Sequence, residues 1–401
     1  MDIQPDIHSD ERGLPVFDEY RLTVETMRQG PFRFQIGVDP AAIETAWLRI
    51  SDAHQRFVAS PLARVANQLE KEVVVTSIFG TNSIEGGTLS EHETQLALEL
   101  LPAMPAGVEQ HRAINLKNAY DLSIQAAGSP EWEMDVAFIR QIHAAITSGI
   151  PHQYNQPGRL RANPKDIRTH VGDTDHGGCY KPPQYEEDIR RLLEALTSWH
   201  AELRARELPA LIRAPLVHYY FERIHPFWDG NGRVGRVLEA TLLHQEGYRH
   251  APFALARYYF EHIDRYFSLF NRCRKAEAKK HPQANTPFVA FFLEGFLASL
   301  HRLHERANQL VAVLLFENEL KQRHDAREIN ERQYAIVTQI LASGHPMPLE
   351  TLRLAPWYLA LYSRLSDKTK QRDLRRLREL KLIHEDSQHR LLPGSVEPLD
   401  H

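Results

Sequence analysis

The 401-residue chain has only two cysteines, Cys179 and Cys273. So few exclude a disulfide scaffold and suit a reducing compartment. No apolar run approaches the ~20 residues that span a bilayer. Met1 to Asp18 is polar, rich in Asp and Pro, and lacks the apolar core of a secretory signal. A cytoplasmic protein with no membrane partner is the expectation. Neither sign of charge dominates: 48 Lys and Arg stand against 52 Asp and Glu, a formal net charge of −4, so the overall balance gives no sign of nucleic-acid binding. Internal repeats and low-complexity segments are lacking too. What remains is ordinary for a folded globular protein, 42% hydrophobic and 25% charged, and long enough for two or three domains.

Against this plain background one stretch stands out, His225-Pro226-Phe227-Trp228-Asp229-Gly230-Asn231-Gly232-Arg233-Val234-Gly235-Arg236. Gly230 and Gly232 permit backbone conformations that turn successive N–H groups into one anion-binding concavity. From Gly232 onward Val234, Val237, Leu238, Leu242 and Leu243 recur at helical spacing. The concavity therefore falls at a helix N-terminus, where unpaired N–H groups and the macrodipole favour negative charge. Arg233 and Arg236 lie three apart, on one helical face, and each fork grips phosphate oxygens well. Asp229 suits Mg2+, which takes one or two carboxylates together with phosphate oxygens. His225 is the natural general base. A lone turn, a lone R-x-x-R or a lone pre-proline histidine is usually structural, but their coincidence in twelve residues points to chemistry on a nucleotide polyphosphate.

The stretch resembles the Fic family signature H-P-F-x-[D/E]-G-N-G-R-x-x-R at every fixed position. The resemblance implies a mainly α fold: a Fic-type helical core with a β-hairpin flap, in a family whose members mostly transfer AMP from ATP to a hydroxyl of a target protein. It implies that His225 deprotonates a Ser, Thr or Tyr hydroxyl and that Asp229 holds Mg2+. Nucleotide contacts are implied for Gly230, Asn231, Gly232, Arg233, Gly235 and Arg236, with Phe227 a core anchor and no role for Trp228. Gly230 and Arg233 match the AMP-transfer form of the loop rather than the variant of relatives that phosphorylate.

Far upstream, Thr81-Asn82-Ser83-Ile84-Glu85-Gly86 reads by itself as a polar helix end, with Gly86-Gly87 as a stop signal. Beside the loop it resembles the family's inhibitory motif [S/T]-x-x-x-E-[G/N], matched by Thr81, Glu85 and Gly86. The resemblance implies that Glu85 pairs with Arg236, occupying the guanidinium and repelling an incoming γ-phosphate. In some relatives this glutamate also positions water for AMP removal.

The glycine-rich run Gly172 to Gly178, between Ile167–Val171 and Cys179-Tyr180, predicts a β-hairpin. The resemblance makes this 167–180 hairpin the flap on which an unidentified target protein docks by strand addition. Asp175, His176 and Cys179 match no strong metal spacing. Ala256 to Tyr266 resembles the segment beside the adenine, with Tyr258 stacking on the base and His262 where many relatives carry Asn. Tyr259 and Tyr266 read equally well as helix core.

The order along the chain predicts an N-terminal region over 1–105, with a short helix in an arm at 1–35 and further helices that include the inhibitory one. A catalytic core over 106–275 follows, then a long connecting helix over 276–327. Residues 328–401 form a separate unit: a helical stripe at Ala335, Ile336, Ile340 and Leu341, a short helix at Leu349–Leu354, a basic amphipathic helix at Lys368–Leu380, and a wing at Leu382–Asp386 and Arg390–Leu392. This succession resembles a small C-terminal winged helix-turn-helix domain whose 368–381 helix is a candidate for duplex DNA. A homodimer is implied by the resemblance alone. Three functions compete: a self-inhibited AMP transferase using ATP and Mg2+, a nucleotide-sensing DNA-binding regulator, and an enzyme that removes AMP through Glu85 or uses another nucleotide donor.

Overall fold

The computed structural model describes residues 14–28, 30–59, 65–99, 107–129 and 131–394. The expected boundary at 105/106, Leu100-Leu101 and residues 1–13 of the N-terminal arm lie outside them. The chain divides into two compact units, residues 1–62 with 66–304, and residues 63–65 with 305–401.

The first unit opens with an antiparallel hairpin, β1 (Arg21–Thr26) and β2 (Gly30–Gln35), in register Arg21↔Gln35. A short helix was expected in this arm, so this is a correction for its described part. Leu22, Val24, Phe32 and Phe34 alternate with polar neighbours at the strand period of two, and a two-stranded ribbon needs an outside surface to persist. Phe34, fully buried, supplies that anchorage, with its ring 5.7 Å from Trp199 and 5.1 Å from Tyr220. The Asn285 side-chain amide donates to the carbonyls of Gln35 and Ile36 at 3.0 and 3.1 Å.

Helices follow: α1 (Pro40–Ala59), α2 (Ala66–Ile84), α3 (Glu91–Leu98), α4 (Val108–Ala127), α5 (Val136–Thr147), α6 (Glu186–Ala205), α7 (Ala210–Ile224), α8 (Asn231–Gln245), α9 (Ala251–Glu261), α10 (Ile263–Ala278) and α11 (Thr286–Asp325). Local signals start several of them. Ser90 and Glu93 form a reciprocal capping box on α3, and the Asp135 carboxylate accepts from the Phe138 N–H at 2.7 Å on α5. α7 and α8 are buried nearly all round, their polar side chains included, and so lie at the centre of the core. They pack on each other, with α4 and α5 against α8 and α6 against α7. α2 lies along α9 at backbone contact: a Cβ on Gly80 would stand 2.8 Å from the Ala256 carbonyl carbon and the Arg257 nitrogen.

The second unit holds residues 305–325 of α11, then α12 (Glu331–Ser343), β3 (Met347–Pro348), α13 (Leu349–Leu354), α14 (Pro356–Leu361), α15 (Asp367–Glu379), β4 (Ile383–Glu385) and β5 (Arg390–Pro393). Its strands form an antiparallel sheet in the order β3-β5-β4. The 346–348 segment, expected only to punctuate the chain, places Met347 opposite Leu391 in that sheet. Ile336, Leu352, Leu377 and Leu391 sit in the core of this unit with no exposed surface. Asp373 of α15 is buried there and held by Arg332 Nε at 3.0 Å, Gln333 Nε2 at 3.2 Å and the Tyr362 hydroxyl at 2.9 Å.

Among the described residues no helix is long and apolar enough to cross a membrane.

Candidate active site

The conspicuous loop joins the two central helices. His225 closes α7 in the left-handed region, φ 48°, with its N–H on the Phe221 carbonyl at 2.9 Å. Gly230 precedes α8, also left-handed at φ 82°. A Cβ there would lie 3.2 Å from Thr147 Cγ2, so glycine answers both a backbone and a packing demand. The first backbone bond of α8 is Val234 N–H to Gly230 C=O at 3.0 Å. The N–H groups of Asn231, Gly232 and Arg233 precede it and form the anion-attracting end of the helix.

The loop is fixed from beneath. Phe227 is fully buried and stacks on His143, with ring centroids 3.7 Å apart and planes 1° from parallel. The His143 ring also bridges two loops: its Nδ1 accepts from Gly158 N–H at 2.9 Å, and its Nε2 donates to the Asp229 carbonyl at 3.1 Å. That pattern belongs to the neutral imidazole, and burial pushes its pKa down to about 4. Arg161, fully buried, donates from Nε to the His225 carbonyl at 2.7 Å and from its backbone N–H to the Pro226 carbonyl at 2.9 Å. Sequence reading missed both residues. His143 lies on an apolar helix face and Arg161 in a loop, and only the fold brings them under the motif.

Asn231 corrects an expectation. Its amide accepts from the Phe227 N–H and donates to the Phe227 carbonyl, both at 2.9 Å. The side chain staples the loop, and its backbone N–H faces the concavity as part of the helix N-terminus. Asn231→Ala leaves two buried backbone groups unpaired and is expected to destabilise the protein by about 1–3 kcal/mol, measured as a lower denaturant midpoint.

Gly235 is the second correction. It faces α7 rather than the concavity, and a Cβ would stand 2.8 Å from His218 Cδ2 and 2.9 Å from Glu222 Oε1. Gly232 does face the concavity. A Cβ there would overlap Glu85 Oε1, so the carboxylate lies against the first turn of α8.

Glu85 reaches that point from the end of α2. Its N–H bonds the Asn82 carbonyl at 3.0 Å, and Gly86 turns the chain away at φ 80°. Arg236 Nη2 donates to Glu85 Oε1 at 2.6 Å and to the Thr81 carbonyl at 3.2 Å. The Thr81 hydroxyl itself is buried, 3.4 Å from that of Tyr120. Behind Arg236 runs a relay that sequence reading did not foresee. Arg236 Nη1 donates to the Tyr266 hydroxyl at 3.3 Å, which donates to His218 Nε2 at 3.0 Å. His218 Nδ1 donates to Glu239 at 2.9 Å, and the Tyr259 hydroxyl donates to the same carboxylate at 3.0 Å. Both tyrosines are core residues, as half expected, and Tyr266 also orients the arginine.

Arg233 Nη2 touches both oxygens of Asp229, at 3.0 and 2.9 Å. Burial alone would raise the Asp229 carboxyl, but the Arg233 guanidinium outweighs it and holds the group below the usual carboxylate range. Asp229 is thus a partly exposed anion, suited to one metal ion shared with phosphate oxygens. No cluster of three or more His, Cys, Asp or Glu that could hold a metal ion occurs among the described residues. His225 Nδ1, Arg233 Nε and Arg236 Nε are buried without a partner among those residues. Glu222 Oε2 stands 3.6 Å from His225 Nδ1, just beyond a hydrogen bond and within reach of a small ring rotation.

The flap is simpler than expected. Instead of two strands, one antiparallel bridge joins Val171 and Tyr180, with N–H···O distances of 3.0 and 2.9 Å. Gln184 replaces further pairing by accepting from the Thr169 N–H at 2.9 Å. Asn271 Nδ2 holds the turn at the carbonyls of His176 and Gly178, 3.1 and 2.6 Å away. Near the expected base site, the Tyr258 ring is buried and stacks on the exposed His262 imidazole, centroids 4.1 Å apart. His262, rather than Tyr258, presents a free face.

Residues 133–243, which include α5 through most of α8, match the model of the Fic/DOC family. This part of the chain is therefore similar to the Fic/DOC family. The chain is 25% identical over 252 residues to a Nematostella vectensis relative named protein adenylyltransferase Fic, covering 60% of this chain and 53% of that one. It is 27% identical over 180 residues to a Drosophila ananassae relative of the same name, covering 45% and 34%. The match thus spans about half or less of the length of these curated relatives. Among solved structures, a Fic family protein from Desulfovibrio desulfuricans aligns over 89% of this chain and 96% of its own, at a TM-score of 0.54 and 18% identity. A Fic domain containing signaling protein from Bacteroides thetaiotaomicron aligns over 65% and 97%, at 0.54 and 21%. These likenesses show a fold shared with those proteins.

Buried neutral histidines make this domain sensitive to acid. Burial lowers His143 to about 4 and His200 to about 3, whereas an unfolded histidine titrates near 6.5. Between those values the unfolded chain binds more protons, so stability is full above the unfolded pKa and is lost as pH falls toward the folded one. His143 alone is expected to contribute on the order of 3 kcal/mol to that loss. Urea unfolding at about pH 7.5 and about pH 4.5 would show it, and a flat stability across that window would refute it.

Proposed function

We propose that this protein transfers AMP from ATP to a hydroxyl of a protein substrate, itself included, and that Glu85 restrains the reaction. The observation that carries the reading is a histidine with an unpartnered ring nitrogen, set at the start of the loop that leads into the helix beginning at Asn231, whose two arginines also keep unpartnered nitrogens. Each arginine nitrogen is a buried donor suited to an oxyanion, and the imidazole is suited to take a proton. The names of the curated relatives support the same reaction class.

In this reading the α8 N–H groups, Arg233 and Arg236 hold the phosphates. Asp229 would hold Mg2+, which neutralises phosphate charge when bound. His225 accepts the hydroxyl proton as the oxygen attacks the α-phosphorus. The bond to the β-phosphate oxygen breaks and pyrophosphate leaves. The Glu85 carboxylate lies where phosphate oxygens would have to sit and occupies Arg236, so ATP binds weakly or out of line. The flap offers a short edge for a target segment.

Incubation with ATP and Mg2+ followed by mass spectrometry tests this. A gain of one AMP per modified site supports it, and a gain of phosphate reassigns the reaction.

For the second unit, the order helix, strand, helices, basic helix and two-stranded wing supports a winged helix. Lys370 meets Asp367 at 2.9 Å, Arg375 and Arg376 meet Glu379 at 3.8 Å, and Arg378 bonds Glu385. Cations tied to carboxylates in this way favour a solvated or protein-facing surface over a groove-reading helix.

A further inference from the structure

A cavity of about 560 Å³ opens beside the loop, lined by Arg140, Tyr154, Arg159, Glu186, Arg190 and Trp228 among others. None of His225, Arg233, Arg236 or Glu85 borders it, so it is separate from the phosphate concavity. Trp228, for which the sequence offered no role, heads its wall: its ring lies 5.1 Å from that of Tyr154, which is 38% exposed. Trp228 is three residues from His225, no more than about 11 Å of extended backbone.

The charge of the cavity is one-sided. Arg190 is balanced by Glu186 and Glu187, at 3.2 and 3.1 Å. Arg140 and Arg159 are exposed and have no carboxylate partner among the described residues. Arg140 is braced by Nε on the Gly158 carbonyl at 2.7 Å, and Arg159 by Nη1 on Gln156 Oε1 at 2.8 Å. Two braced, uncompensated guanidinium groups flank an aromatic wall. Tyr, Trp and Arg are the residues enriched at the energetic centres of protein interfaces, and an arginine fork suits a carboxylate.

We propose that this cavity binds an acidic segment of a polypeptide substrate, placing carboxylates on Arg140 and Arg159 and a side chain against Tyr154 and Trp228, next to the modified hydroxyl. The inference rests on the AMP-transfer reading only in calling the polypeptide a substrate; the binding itself needs no ATP.

The test uses the full chain and three fluorescein-labelled octapeptides, one of glutamates around a central threonine, one of lysines around it, and one of glycine and serine. Fluorescence anisotropy reads binding without nucleotide. The acidic peptide is expected to bind in preference to the other two and to weaken with salt. Arg159→Glu is expected to weaken it by about tenfold or more, and Arg159→Lys by less. Tyr154→Ala is expected to weaken all peptides that fill the wall. Both side chains are exposed, and melting curves matching the parent show that the fold is kept. The proposal is overturned if the acidic peptide binds no better than the neutral one, if Arg159→Glu leaves its affinity unchanged, or if a short oligothymidylate displaces it more effectively than unlabelled acidic peptide. Self-modification with labelled ATP, run in parallel, separates the two ideas: its failure with peptide binding intact sinks the reaction and leaves the cavity's role standing.

Discussion

Glu85→Gly is expected to raise the initial rate of AMP incorporation by about ten- to a hundredfold at limiting ATP, since a charge-assisted hydrogen bond contributes roughly 1.5–3 kcal/mol. The substitution removes the 2.6 Å contact with Arg236 and clears the carboxylate from the face of Gly232. Arg236 keeps the Thr81 carbonyl and the Tyr266 hydroxyl, so its guanidinium stays in place as its charge becomes available. Glu85 sits in a turn after the end of α2 and is partly exposed, so the fold should tolerate its loss. Glu85→Gln should give a smaller gain, because the amide no longer repels phosphate but still fills the space. Labelled-ATP assays and calorimetric titration of ATP measure both effects. Equal rates and equal affinities for parent and Glu85→Gly would remove the brake from the account.

The largest loss is expected at His225. Removing a general base typically costs about a hundred- to ten-thousandfold in rate. His225→Ala should therefore abolish detectable transfer in the Glu85→Gly background while leaving ATP affinity within about threefold, well under 1.4 kcal/mol. The residue occupies a left-handed position, which costs any residue with a Cβ about 1–2 kcal/mol and which alanine favours less than histidine or asparagine. His225→Asn, better suited to that backbone, is the paired control. If either variant keeps the parent rate, another group takes the proton. If both lose ATP binding as well, the imidazole belongs to the phosphate site.

The twelve-residue loop was legible because its parts are contiguous. Two glycines, an asparagine and two arginines announce a helix N-terminus with cationic walls whatever surrounds it, and the apolar period of α8 starts where Gly232 begins it. The Glu85 motif was legible only as a resemblance. Nothing within Thr81–Gly86 alone says that its carboxylate meets a guanidinium 151 residues away. Roles were harder to read than positions. Asn231 looked like a phosphate ligand because an amide donates well, yet its two edges match the Phe227 peptide and are held there. Gly235 looked like part of the same cup, but one turn further along the helix it packs against His218 and Glu222 of α7.

The parts of the candidate site were written in local order: an imidazole, a carboxylate, flexible backbone and two forks in one short segment suggest the same chemistry at any place in a fold. The central helices were equally readable, since periodicity and caps are local properties, whereas the second compact unit takes in residues from 305 rather than from 328. Long-range closure decided everything else. His143 beneath Phe227, Arg161 under the His225 carbonyl, the Tyr266–His218–Glu239 relay behind Arg236 and the arginine-flanked cavity beside Trp228 each join residues far apart in sequence. The energy that orders them comes from burying apolar surface and satisfying polar groups in three dimensions, and no window along the chain contains both partners.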